Sequence, residues 1–91
     1  MARFNFIKDP DAVLDWQFNW ANWLHDGESI ASASFIVDDG LTADSTGHDA
    51  TVATVWLSGG TAGHVYRVTN RVVTSDGRTD DKSINVRVTE R

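Results

Sequence analysis

The chain has 91 residues, 41% of them hydrophobic and 23% charged, with four Trp and no Cys. That composition marks a folded domain rather than a disordered segment, and it excludes disulfide staples, thiolate metal sites and cysteine nucleophiles. Thirteen acidic against eight basic residues leave a net charge of −5, which argues against a free-standing nucleic-acid binder, and no stretch approaches the ~20 apolar residues of a membrane span.

A chain of this length is expected to form one domain over residues 1–91. Met1-Ala2-Arg3-Phe4-Asn5 shows no apolar signal region. Phe4 and Phe6 alternate with Arg3 and Asn5, which predicts an N-terminal edge strand or arm within residues 1–10, ended by Asp9-Pro10-Asp11. Leu14, Trp16, Phe18 and Trp20 alternate with Asp15, Gln17 and Asn19, the period-two pattern of a half-buried strand. Ala21 to Leu24 reads as one helical turn, followed by the Asp26-Gly27 turn.

Ser29 to Val37 is the next strand. Ala31, Ala33, Phe35 and Val37 are expected on one face, Ile30 and Ile36 with Ser32 and Ser34 on the other. The small residues around Phe35 suggest close packing against a bulky neighbour. Asp38-Asp39-Gly40 is a turn, and Asp44 to Asp49 is read as a polar loop. Thr51 to Leu57 is β-branched and alternating, hence a strand, with Trp56 unassigned on its flank. Gly59 to Gly63 is a tight turn; Val65 to Thr74 places Tyr66, Val68, Asn70 and Val72 on one face. Ser75-Asp76-Gly77-Arg78 is a hairpin turn, and Ile84, Val86 and Val88 alternate in the closing strand. About seven short strands with turns every 8–12 residues predict an all-β, immunoglobulin-like antiparallel sandwich. The run Gly59 to Asn70 resembles the E–F corner of such domains: Tyr66 would tie the corner by its hydroxyl, Val68 would be the core position, and Phe35 would fall where many sandwiches place a Trp.

Chemistry is weakly signalled. His25, His48 and His64 lie in separate turn-like stretches without zinc spacing. Neither a nucleophile elbow nor a phosphate loop is present. Asp38, Asp39, Asp44 and Asp49 make an oxygen-rich stretch in which a calcium site stays open, without EF-hand spacing. No catalytic residue, metal or cofactor is assigned, and an enzyme is not expected. Trp16, Phe18, Phe35 and Tyr66 are assigned to the core. Trp20 and Trp23 remain as a surplus and are the candidate protein-interface residues. Residues 1–50 hold nine acidic and two basic side chains, residues 51–91 four and six. Ordinary solvated charge and a polarised surface used in association both stay open.

Lys8 to Trp16, Trp20 to Leu24, Thr54 to Gly63, Tyr66 to Arg71 and Thr74 to Asp81 together resemble small Ig-like structural proteins of tailed bacteriophages, some described as fibre–tail adaptor or neck proteins. The resemblance implies a virion component, present in several copies around a symmetry axis. Its implied partners are other phage structural proteins of neck, tail or fibre, with no direct nucleic acid and no membrane. Two other roles stay open on the residues: a capsid decoration protein, and a carbohydrate- or surface-binding module in which Trp20 and Trp23 would stack on sugars.

Overall fold

The computed structural model describes residues 5–90; Arg3 and Phe4 of the expected edge strand lie outside them. Seven strands form in chain order: β1 (Asn5–Lys8), β2 (Leu14–Asn19), β3 (Ile30–Val37), β4 (Leu41–His48), β5 (Val52–Gly59), β6 (Val65–Thr74) and β7 (Thr79–Val88). They build two sheets, one in the order β1-β7-β6-β3 and the other β2-β5-β4. The chain changes sheet at Asp9-Pro10-Asp11, at the Trp20–Gly27 turn, at Asp38-Asp39-Gly40 and again between β5 and β6, whereas β4–β5 and β6–β7 are hairpins within one sheet. All ladders are antiparallel except β1 on β7, which is parallel. The immunoglobulin-like all-β sandwich predicted from period and turn spacing is the fold observed.

The alternating residues meet between the sheets. Trp16, Phe18, Val55 and Leu57 face Tyr66, Val68, Val72, Ile84, Val86 and Val88, all buried. Phe35 is half-buried and packs its ring 5.8 Å from that of Phe18, the bulky neighbour its small flanking residues foreshadow. Lys8 ties the layers at one end: its buried Nζ, at the end of β1, donates to the carbonyls of Asp9 and Gly59.

Two expectations are corrected. The polar loop assigned to Asp44–Asp49 is largely strand β4, paired with β5. It is the outer strand of its sheet and is exposed beyond Leu41, so it needs no apolar alternation. A bulge at Asp44 interrupts its ladder, a feature that blunts sheet edges against pairing with other chains. On β3 a second bulge lies between Ile30 and Ser32. One extra residue reverses the facing of what precedes it, so Ile30 is buried while Ala31 is exposed.

The corner before β6 explains two glycines. Gly40 and Gly60 both have positive φ, +102° and +93°. A Cβ on Gly40 would lie 3.0 Å from Tyr66 Cε2, and one on Gly60 2.6 Å from Val88 Cγ2 and 3.4 Å from Tyr66 Cε1. The Tyr66 ring thus fits between two bare backbones. The Thr61 backbone N–H donates to Tyr66 Oη at 2.8 Å, which fixes the turn to the strand that follows it. Tyr66→Phe keeps the ring and removes this bond. The expected loss is about 1 kcal/mol of unfolding free energy, read as a lower urea midpoint at unchanged m-value.

Candidate functional site

Trp20 continues the alternation of Trp16 and Phe18 one residue past β2. Its backbone N–H donates to the Thr51 carbonyl, which holds that register and sends the indole inward. Trp20 is 1% exposed, and its Nε1 donates to Asn70 Oδ1 at 2.8 Å. The Asn70 amide nitrogen in turn donates to the Ser34 carbonyl. A buried Asn on β6 is therefore the polar partner of a buried Trp. Lys82 Nζ lies 4.4 Å from the centre of the Trp20 ring and donates to the Asn19 carbonyl; burial pushes its ammonium pKa down. This corrects the assignment of Trp20 as a surface residue. Its indole is core, hydrogen-bonded across the sandwich to Asn70 of β6.

Trp23 is half-buried on the helical turn closed by Leu24 N–H donating to the Trp20 carbonyl. Its ring packs edge-on against Trp20, 5.2 Å between centroids, and the Arg78 guanidinium stacks over it at 4.0 Å. Arg78 reaches further. It forms a two-pronged ion pair with Glu28, through Nε to Oε2 and Nη2 to Oε1, and donates to the Trp23 carbonyl. Glu28 also accepts from the Thr74 hydroxyl and the His25 backbone N–H. Both carboxylate oxygens are thus occupied, and the Glu28 side chain is fully covered. The Arg78 hydrogen bonds, opposed by desolvation and helped by Thr74 and His25, hold its carboxyl well below the usual carboxylate range. His25, Glu28 and Asp76 are the one acidic–histidine group among the described residues close enough to share an ion. The Arg78 guanidinium already fills the Glu28 side of it, so this group is an ion-pair knot that pins the β2–β3 connection to the β6–β7 hairpin.

The acidic stretch weighed for calcium does separate jobs. Asp38 Oδ2 accepts from the Arg67 backbone N–H, and Asp44 Oδ1 from the Ser58 hydroxyl. Asp49 Oδ1 accepts from Thr51 and Val52 N–H, which lower its pKa.

The two outer sheet faces are open to contact with other molecules. On β5 the inward positions belong to Ala53, Val55 and Leu57, so Trp56 points outward and is 43% exposed. Asp15 of β2 and Ser45 of β4 sit directly opposite it. Among the described residues no ring or cation stacks on it. Strands β2, β4 and β5 contain Asp15 and Asp44 and no Lys or Arg. The other sheet carries Lys8, Arg67, Arg71, Lys82 and Arg87 against Asp80 and Asp81, and Asp81 is taken by Arg71 in a two-pronged exposed pair. The charge asymmetry of the sequence becomes a difference between sheets. Alternation on β5 was the signal for Trp56; Glu28 and Arg78, fifty residues apart, carried none.

A family model described as podophage GP4 fiber-tail adaptor protein gp77 matches residues 8–87. Among solved structures, the solution structure of the PKD domain from KIAA 1837 protein is similar in fold. Its TM-score is 0.53 at 23% identity, over 97% of this chain and 80% of that one. The comparison with curated proteins gives no match.

Proposed function

Because the chain belongs to the podophage GP4 fiber-tail adaptor gp77 family, we propose that it seats a fibre on the tail, in several copies around the tail axis. It is a structural component of the phage virion, an adaptor and not an enzyme. The family match over residues 8–87 carries this reading. The architecture suits it: a rigid sandwich offers two flat faces that can be gripped from opposite sides. One face is acidic with an exposed Trp, the other basic with exposed aliphatic residues. Repeated copies let a small interface per subunit add up around a symmetric axis. Neither DNA nor lipid is a partner in this reading, in keeping with the net charge of −5.

Quantitative mass spectrometry of purified virions tests the position. A copy number in the low multiples of the tail symmetry, about six or twelve, is expected for an adaptor at the tail. Hundreds of copies per particle would move the protein to the capsid surface as a decoration.

A further inference from the structure

On the basic sheet lies a groove of about 410 Å³ lined by Phe6, Ile7, Val65, Asn85 and Arg87. Ile7 is 50% and Val65 57% exposed. Arg87 stands opposite both in the ladders, beside Val65 on β6 and Ile7 on β1, and Arg67 stands opposite Asn85. Strand β7 lies between β1 and β6, so Arg87 and Asn85 run along the middle of the groove and Ile7 and Val65 flank it on either side. The acidic sheet presents the converse: a projecting indole, Trp56, with the Asp15 carboxylate directly beside it and no cation on any of its strands.

We infer that the Trp56 face of one copy docks into the Phe6–Val65–Arg87 groove of a second copy of this chain. The indole buries against Ile7 and Val65 and lies within reach of the Arg87 guanidinium, a favourable cation–π arrangement. Asp15 meets the positive charge of Arg67 and Arg87. Knob and groove are on opposite sheets of one molecule, so the contact is not reciprocal. Each copy uses its knob on one neighbour and its groove on the other, and repetition leads to a ring or a filament rather than a two-fold dimer. The inference rests on the proposal that several copies sit around the tail axis, where such a ring would form.

Because the chain has no Cys, single cysteines report the contact. Ser45→Cys, beside the knob, and Asn85→Cys, in the groove, are purified separately, mixed and oxidised. The mixed disulfide is expected to exceed both homodimers well beyond the statistical ratio. Adding Trp56→Ala to the knob partner, or Arg87→Asp to the groove partner, should reduce it by about tenfold or more, as for a central anchor residue. Both sites are exposed strand positions, so unchanged melting curves confirm that the variants fold. A statistical mixture, or a yield indifferent to Trp56→Ala, overturns the inference. Virion incorporation of Trp56→Ala is scored in parallel. If the Ser45→Cys and Asn85→Cys pair with Trp56 intact fails to cross-link and Trp56→Ala is fully incorporated, self-docking is overturned and the adaptor role stands. If that pair fails to cross-link and Trp56→Ala is not incorporated, another virion protein occupies this face and self-docking is overturned as well.

Discussion

Trp20→Ala is expected to lower the stability of the domain by about 3–5 kcal/mol, measured by urea denaturation of the purified protein. A domain of this size has about 5–10 kcal/mol in total, so the variant should be close to unfolding at ambient temperature. The magnitude has two sources. The indole is buried between the sheets at 1% exposure, and its removal leaves a cavity that a sandwich held by two ladders cannot close. Its Nε1–H is also the partner of Asn70 Oδ1, which would lose that bond in the interior. Asn70→Ala, the converse change, should cost about 1–3 kcal/mol by leaving the indole N–H unpaired. The two effects should combine less than additively, since both remove the same bond. Trp23→Ala should lose clearly less than Trp20→Ala, because that ring is only half-buried. Equal losses at both Trp positions would mean that Trp20 is not the core residue described.

The second large effect is expected at the Glu28–Arg78 knot and is dependent on pH. Arg78→Ala leaves a covered carboxylate with one hydroxyl and one backbone N–H in place of a guanidinium, so it should be far more destabilising than Arg71→Ala. The Arg71–Asp81 pair is open to water on both sides and its loss should scarcely register. Arg78→Lys should also fail, because an ammonium cannot reproduce the two-pronged geometry. The pKa of Glu28 is lower in the folded state than its ordinary value of 4.5. The folded state therefore binds fewer protons in acid than the unfolded state does. The stabilisation is complete above the ordinary carboxylate pKa and is lost as the pH falls from there through the depressed folded value. Asp49 and Asp81 are shifted in the same direction. Stability measured against pH should accordingly fall steeply below about pH 5. Glu28→Gln should flatten that acid limb while lowering the plateau at neutral pH. An acid limb unchanged by Glu28→Gln would show that the knot does not supply it.

Much of the fold was legible in the residues because strand alternation is a local property. Trp16 and Phe18, Val55 and Leu57, Tyr66 and Val68, and Val86 and Val88 each announce an inner face within a few positions. Two failures came from where that logic stops. An outer strand such as β4 has no buried face beyond Leu41, so its polar sequence reads as a loop. A bulge such as that at Ala31 shifts the phase without leaving a mark in composition. The assignment of Trp20 failed for a different reason. The alternation that included it was visible, but counting aromatics against the needs of a small core made it look like surplus. Its partner, Asn70, gave no sign of a role, because a lone Asn on an apolar strand face is silent until its hydrogen bonds are seen. Glu28 and Arg78 were equally silent, being joined only by the fold. For the contact surfaces, the charge split between the two halves of the chain was visible, but its meaning was not. Sheet assignment was needed to turn it into one acidic face centred on Trp56 and one basic face around Arg67 and Arg87.

In the proposed role this sandwich is the piece between fibre and tail. Particles assembled without it, imaged by cryo-electron microscopy, test that role most directly. The expected particles have complete heads and tails but no fibres, and fibres return when the wild-type protein is added back. Particles that keep their fibres at full occupancy in its absence would contradict the account.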